Sequence, residues 1–201
     1  MVFYKKYIFN GKESVFNTKG IVMGYLYLTR HGQTVWNVED KVCGATDIEL
    51  TEKGRQQAAG LGASLSQDKN ITIDTIISSP LKRAKDTAKI ISDAISVPMY
   101  TDMRITEQNF GKYEGKGRHS DEFTEAKRHF ADNYEGGESM LKVAQRVYNF
   151  LDEIRKERHK TYLIVAHNGI ARIVHSYFYD ETNEEFSKYS IKNCELVCYQ
   201  W

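Results

Sequence analysis

Short apolar runs recur along the chain, and each is bounded by polar residues or glycine. Runs of this length that are rich in β-branched and aromatic residues are typical of strands buried on both faces of a sheet. The first run reads YLYL and stops at Thr29. We predict strands at residues 25–28, 73–79, 97–101, 161–166 and 195–201.

Between these runs, apolar residues return every three or four positions, which predicts amphipathic helices. Thr51 is the expected N-cap of the first helix, and Pro80 is expected to open the second. A long helix follows residues 136–139, with a predicted apolar stripe of Leu141, Ala144, Val147, Leu151 and Ile154. Because strands alternate with helices, we predict an α/β fold, a three-layer α/β/α sandwich with a mostly parallel central sheet.

The first 24 residues stand apart from this alternation. Their Asn10-Gly11 pair predicts a β-hairpin, which we expect to pack on the surface and to do no chemistry. The alternative is a leader that precedes a start at Met23. Residues 25–201 are predicted to form one domain, which suits their length. Within that domain, residues 105–137 are expected to form a cap or specificity insert, helical over residues 118–134.

The composition is that of an ordinary globular protein. The 201 residues are 41% hydrophobic and 27% charged, and a net charge of +1 leaves no electrostatic footprint for nucleic acid or an anionic membrane. No apolar run approaches the length that spans a bilayer. Three cysteines do not make a disulfide framework, which predicts a reducing, cytoplasmic setting and buried structural thiols at Cys194 and Cys198.

Basic and imidazole side chains follow three of the predicted strands. Arg30 and His31 follow the first strand, Arg83 lies just after the second, and His167 follows the most apolar one. Parallel strands gather their carboxyl ends on one edge of the sheet, where ligands bind in open α/β folds. We therefore expect these four side chains to converge on a single site.

Such a set of groups suits phosphoryl transfer. Two arginines can each make paired hydrogen bonds to phosphate oxygens. One neutral histidine can attack phosphorus, while the second donates a hydrogen bond to the equatorial oxygens. A glutamate of the glycine-rich stretch 104–117, either Glu107 or Glu114, can protonate the leaving oxygen if burial lets it keep its proton.

The ordered set of short motifs resembles the histidine phosphatase superfamily, which contains cofactor-dependent phosphoglycerate mutases and their phosphatase relatives. The matching segments are RHGQT at 30–34 with Asn37, LT at 50–51 with Gly54, SPLKRA at 79–84, EQNFGKYEG at 107–115, GES at 137–139 and VAHNG at 165–169. The resemblance spans residues 25–201 and implies the predicted fold.

The resemblance also implies a role for each matching residue. His31 would be the nucleophile that becomes phosphohistidine, and Glu107 would be the general acid. The phosphate pocket would comprise Arg30, Arg83 and His167, with Asn37 as an accessory donor and the backbone N–H of Asn168 beside it. No metal or cofactor is implied, and the expected partner is a small-molecule phosphomonoester.

Hydrolase and isomerase both remain open within this resemblance. Mutases of the family carry an adjacent arginine pair after the acid that grips the substrate carboxylate, whereas the corresponding stretch here reads GKGRHS. We therefore predict hydrolysis, with a cofactor-dependent phosphoglycerate mutase as the alternative and a non-catalytic phospho-ligand module as a third. Lys116, Arg118 and the insert are expected to select the substrate.

A metal-dependent hydrolase built on His31, His167 and Glu107 is disfavoured, because Arg30 would oppose a cation beside its ligands. Neither nucleic acid nor a membrane is an expected partner, and a homodimer is left open.

Overall fold

The computed structural model describes residues 24–200 and contains a five-stranded sheet flanked by helices. The strands are β1 Tyr25–Arg30, β2 Thr75–Ser78, β3 Met99–Thr101, β4 Tyr162–Ala166 and β5 Leu196–Gln200. The helices are α1 Val35–Val38, α2 Glu52–Gln67, α3 Lys82–Ile95, α4 Asp121–Ala126, α5 Met140–Ile154, α6 Asn168–Phe178 and α7 Asn183–Lys188. The predicted N-terminal hairpin lies outside the described residues.

The strand order is β3-β2-β4-β1-β5, and every neighbouring pair is parallel except β5 with β1. The predicted α/β class with a mostly parallel sheet is therefore confirmed. In the paired register Arg30 lies opposite Ala166, and Ser78 lies opposite Val165. The three central strands consequently end along one edge, which is the edge where ligands bind in this architecture.

Side chains alternate between the two faces of the sheet, so each face has its own core. Leu28 and Ile164 pack into a core with α5 and α6. Leu163 and Val165 pack on the opposite face with α2 and α3. This sandwich fixes the strand ends, and with them the residues that immediately follow each strand.

The start of α3 differs from the prediction. Leu81 is the N-cap, with an extended backbone at φ −61° and ψ 135°, and the first helical residue is Lys82. Pro80 therefore precedes the cap and does not open the helix. The Leu81 N–H instead donates to the Ser79 hydroxyl oxygen at 3.3 Å, which makes a short turn before the helix. Arg83 nevertheless lies in the first turn, as predicted.

The apolar face of α5 is rotated relative to the predicted stripe. Leu141 is 58% exposed, whereas Met140, Val143 and Phe150 are buried. Because α-helical residues advance by about 100° each, a face centred on Val143 and Val147 turns residue 141 towards solvent. The prediction that Leu141 belongs to the core is wrong, although Val147, Leu151 and Ile154 are buried as expected.

Two smaller predictions also need correction. In the insert, regular helix is confined to α4, and the backbone of Tyr134 and Glu135 takes positive φ values that a helix cannot accommodate. Cys198 is exposed, because it lies on the edge strand β5 between the inward-facing Val197 and Tyr199.

Candidate active site

Strands β1 and β4 bring the two histidines of the site together. His31 directly follows β1, and His167 directly follows β4 as the N-cap of α6. The backbone N–H of His31 donates to the carbonyl of Ala166 at 3.0 Å, which continues the ladder past the strand ends. The two imidazole rings consequently lie 5.2 Å apart between centroids, tilted by 58°.

The tautomer of His31 is fixed by its neighbour. The Nδ1 atom lies 2.7 Å from the carbonyl oxygen of Gly32. A carbonyl oxygen only accepts hydrogen bonds, so Nδ1 carries the proton and Nε2 keeps its lone pair. Burial, followed by the charges of Arg83 and Arg30, holds the pKa of His31 well below its usual value. The ring is therefore neutral and offers Nε2 as a nucleophile.

His167 is also buried and is held from one side only. Its Nε2 lies 2.7 Å from the hydroxyl oxygen of Ser79, and Nδ1 has no partner among residues 24–200. Burial, followed by the charge of Arg83 and the neighbouring His31, lowers the pKa of His167 well below its usual value. The Ser79 hydroxyl can donate to Nε2, and in that tautomer the ring proton is on Nδ1, where a bound group can accept it.

Arg83 is a fully buried cation whose partners are backbone carbonyls. Its two terminal nitrogens donate to the carbonyls of Thr46 and Gly44 at 2.9 and 2.7 Å. Its Nε has no partner in the described part of the chain, and neither does the Nε of Arg30. Burial and the charge of Arg118 lower the pKa of Arg30 to about 10, so the group stays charged near neutrality. A fully buried and a half-buried guanidinium group, each with a spare donor, make a site for an anion.

The two candidate acids have different environments. Glu107 is buried, with Oε1 accepting from the backbone N–H of Gln108 and Oε2 from that of Gly169, both at 3.0 Å. It lines the same cavity as His31. The N–H donor at position 169 requires glycine, because a Cβ there would lie 2.4 Å from Glu107 Oε1.

Glu114 instead ties loops together. Its carboxylate accepts from the backbone N–H groups of Gly44, Ala45 and Phe110 and from the Thr46 hydroxyl at 2.7 Å. The loop that it holds carries the carbonyls that accept from Arg83. Glu114 is therefore occupied by loop contacts, whereas Glu107 is the carboxylate that lines the cavity with His31.

Two asparagines complete the wall nearest the histidines. Asn37 accepts from the backbone N–H of Thr34 at 3.1 Å through its Oδ1, which leaves its amide N–H groups for the cavity. Asn168 accepts from the Ile191 N–H at 3.0 Å and lies in the first turn of α6. A helix N-terminus favours an anion, so both positions suit a phosphate.

The site opens into a cavity of about 740 Å³. One part of its lining is the sheet edge with Arg30, His31 and Glu107. The insert contributes another part, including Arg118, whereas Lys116 is not part of the lining and its Nζ lies 5.4 Å from the Tyr113 ring centroid. The predicted contribution of Lys116 to substrate selection therefore has no support in its position.

The remaining histidines lie elsewhere, as predicted. His119 is exposed and pairs with Asp40 at 3.0 Å, and His175 stacks on Tyr189 with 4.0 Å between ring centroids. Across residues 24–200, no group of three or more His, Cys, Asp and Glu side chains is arranged to hold a metal ion. No helix in that part of the chain is long and apolar enough to cross a membrane.

Several residues of the site escaped the sequence analysis. Ser79 bonds His167, and Arg146 donates to the Glu107 carbonyl at 3.5 Å while pairing with Glu138. Arg172 lines the cavity from α6. The only sequence signal for Arg172 is its place one helical turn beyond Asn168, which presents both residues on one face.

Residues 26–201 match the family model described as the histidine phosphatase superfamily, branch 1. Phosphoserine phosphatase 1 of Hydrogenobacter thermophilus is 33% identical over 150 residues, which are 71% of this chain and 70% of that protein. Phosphoglycerate mutase-like protein 4 of Arabidopsis thaliana is 33% identical over 171 residues, 80% of this chain and 74% of that protein. These matches confirm the family resemblance.

Solved structures give the same picture. A mycobacterial glucosyl-3-phosphoglycerate phosphatase superposes with a TM-score of 0.74 and 25% identity, covering 87% of this chain and 89% of that one. YhfR of Bacillus stearothermophilus superposes with a TM-score of 0.73 and 31% identity, covering 87% and 90%. The fold therefore agrees with proteins of this group.

Proposed function

Because the chain belongs to the histidine phosphatase superfamily, we propose that it is a phosphohydrolase that cleaves a small phosphomonoester through a phosphohistidine on His31. The observation that carries this proposal is the hydrogen bond from His31 Nδ1 to the Gly32 carbonyl. It orients the ring and leaves the Nε2 lone pair facing the site, which is the arrangement that a nitrogen nucleophile needs.

In the first step, the Nε2 lone pair of His31 forms a bond to phosphorus as the bond to the leaving oxygen breaks. The electron pair of that broken bond goes to the leaving oxygen, which takes a proton from Glu107. Arg30, Arg83 and the Nδ1–H of His167 meet the charge on the non-bridging oxygens. These donors are already held in place by their other partners, so little reorganisation is needed during the reaction.

In the second step, the Glu107 carboxylate removes a proton from water as the water oxygen attacks phosphorus. The N–P bond breaks, its electron pair returns to Nε2, and inorganic phosphate leaves. Glu107 thus recovers the proton that it gave to the leaving group, and the enzyme ends as it began.

Hydrolysis of para-nitrophenyl phosphate tests this proposal, with excess EDTA present and across about pH 5 to 8. Turnover that survives EDTA and is lost in His31→Ala supports it. His119→Ala is the matched control, because that histidine is 79% exposed and outside the cavity. Undiminished turnover in His31→Ala would overturn the proposal.

A phosphoglycerate mutase activity is the second candidate, favoured by the similarity to the mutase-like protein of Arabidopsis thaliana. The same phosphohistidine would then pass its phosphoryl group to a second hydroxyl of the substrate instead of to water. Isomerisation of 3-phosphoglycerate in the presence of a bisphosphate primer tests this reading. Isomerisation faster than phosphate release would favour the mutase over the hydrolase.

A further inference from the structure

The cavity is larger than the phosphate site alone requires. Its volume of about 740 Å³ lies in the range of cavities that enclose drug-sized ligands. The walls beyond His31 and Glu107 include residues of the insert around α4, of α6 and of α7. They determine what the non-phosphate part of a ligand can be.

Three cations of these walls converge. Arg118, Lys127 and Arg172 all line the cavity. Burial and the charges of the two arginines lower the pKa of Lys127, and burial lowers that of Arg172. The three groups therefore lie close enough to repel one another. Like charges that share a partly buried site are costly unless an anion joins them.

Neither Lys127 nor Arg172 forms an ion pair with a carboxylate in the described part of the chain, although the charge of Glu107 raises the pKa of Arg172 against the effect of burial. The ammonium of Lys127 lies 4.9 Å from the Phe123 ring centroid, and the Arg172 Nε donates to the Tyr189 carbonyl at 2.9 Å. In contrast, the neighbouring Arg128 is paired with Glu125 at 3.3 Å. Lys127 and Arg172 thus keep charge available to a ligand.

The position of Arg172 sets the distance from the phosphate site. Arg172 lies three residues after Gly169 and four after Asn168 on α6, and all three line the cavity. Residues at these spacings are neighbours on one helix face, about 5 to 6 Å apart between Cβ atoms. A cationic centre therefore lies roughly one helical turn beyond the groups that would hold phosphate.

Aromatic side chains form another part of the cavity wall. Phe123 and Phe130 come from the insert, and Phe186 comes from α7, with Phe130 and Phe186 in contact at 5.7 Å between ring centroids. Such surfaces favour an apolar or ring-shaped body. The cavity thus combines an apolar wall with a cationic centre.

We propose that Lys127 and Arg172 form a subsite for a second anionic group, a carboxylate or a further phosphate, carried on an apolar leaving group. The substrate class is then an anionic phosphomonoester larger than a three-carbon acid, with its apolar body against Phe123 and Phe186. This inference rests on the proposed function, because it takes the sheet edge as the phosphate site.

Three aryl phosphates separate the contribution of the second anionic group from that of the aromatic ring. They are 4-carboxyphenyl phosphate, its neutral carbamoyl counterpart and 1,4-phenylene bisphosphate. Dissociation constants are measured by calorimetry in a His31→Ala background, and kcat/KM in the active enzyme. Lys127→Met and Arg172→Met are compared with Lys127→Arg and with Lys116→Met, which lies outside the cavity. For each variant we take the ratio of the value for the anionic ester to that for the neutral ester. Comparing this ratio between variants cancels differences in leaving-group chemistry.

We expect an anionic ester to bind about tenfold more tightly than the neutral one, with the ratio lost in both methionine variants. Lys127→Arg should keep the ratio, as should Lys116→Met, while binding of the neutral ester changes little. The second anionic group that the subsite prefers is a carboxylate if the carboxyphenyl ester shows the larger ratio, and a phosphate if the bisphosphate does. Equal binding of anionic and neutral esters, or a ratio unchanged in Lys127→Met and Arg172→Met, would overturn the subsite. Binding ratios as expected without any turnover would overturn only the phosphohydrolase proposal.

Discussion

The backbone N–H of Gly169 donates to Oε2 of Glu107 at 3.0 Å, which joins the first turn of α6 to the loop that carries the acid. A Cβ at position 169 would lie 2.4 Å from the other carboxylate oxygen. We predict that Gly169→Ala displaces Glu107 and lowers kcat by about 100-fold, within the range typical of general acid catalysis.

Gly60→Ala is the matched control for that substitution. No atom lies within 4 Å of a Cβ built at Gly60, which is in the interior of α2. Activity should be unchanged, and stability should rise by up to about 1 kcal/mol because alanine favours helix. Full activity in Gly169→Ala would contradict the placement of Glu107 at the reacting atoms.

Leaving-group chemistry distinguishes the roles of Glu107 and Glu114. Glu107→Gln removes the proton donor, so alkyl phosphates should lose about 100- to 10,000-fold in kcat, while para-nitrophenyl phosphate loses far less because its leaving group needs no proton. Glu114→Gln disturbs the loop that receives Arg83, so its effect should be the same for both substrates and accompanied by lower thermal stability. Parallel leaving-group series for the two variants check this, and identical profiles would contradict the assignment.

Arg146 connects Glu138 with the loop of Glu107. Its Nε and one terminal nitrogen bind the Glu138 carboxylate at 2.9 and 2.8 Å, and the other terminal nitrogen donates to the Arg104 carbonyl at 2.6 Å. Arg146→Met should lower the free energy of unfolding by about 2 to 3 kcal/mol, since it leaves a largely buried carboxylate unpaired. Denaturant titration measures this change.

The exposed pair of Lys89 and Asp93 provides the comparison, because both side chains are 63% exposed. Lys89→Met should change the free energy of unfolding by less than about 1 kcal/mol. A similar loss in Arg146→Met and Lys89→Met would mean that the buried pair does not hold the site together.

Stability should depend on pH through the buried histidines. The folded-state pKa of His31 is lowered, so below the unfolded value of 6.5 the unfolded chain binds more protons than the folded one, and stability falls as pH falls. Between pH 7 and 5, a histidine that stays neutral in the folded state contributes a loss of about 2 kcal/mol. In His31→Asn the pH dependence of the free energy of unfolding should be smaller by that amount, whereas in His119→Asn it should be unchanged. An equal pH dependence in the wild type and both variants would contradict this prediction.

The sequence predicts the positions of those site residues that local secondary structure determines. Arg30 ends a buried parallel strand, and His31 and His167 immediately follow such strands, so predicting the strands placed these residues at one edge. Arg83 kept its place in a first helical turn even though Pro80 does not open the helix. Residues at the ends of parallel strands, or in the turns after them, converge on one edge of the sheet without further long-range contacts.

Other features depend on long-range packing that no local pattern encodes. Glu107 and Glu114 lie in one glycine-rich stretch, and only contacts with Gly169 and with the loop at 44–46 separate their roles. Leu141 belongs to a helical pattern but faces solvent, because the adjacent Met140 side chain occupies the core. Arg172 lies on α6 and lines the same cavity as residues of the insert and of α7, whose positions the sequence does not specify.

The proposed phosphohistidine on His31 can be tested directly: the enzyme is quenched rapidly after a ³²P-labelled phosphomonoester is added, and the bound label is mapped. We predict an acid-labile, base-stable phosphoryl group on the peptide that contains His31, absent in His31→Ala and present in His119→Ala. A longer-lived label is expected in Glu107→Gln with a good leaving group, because water is then not activated. Label on another residue, or full turnover in His31→Ala, would contradict a mechanism that proceeds through a phosphohistidine on His31.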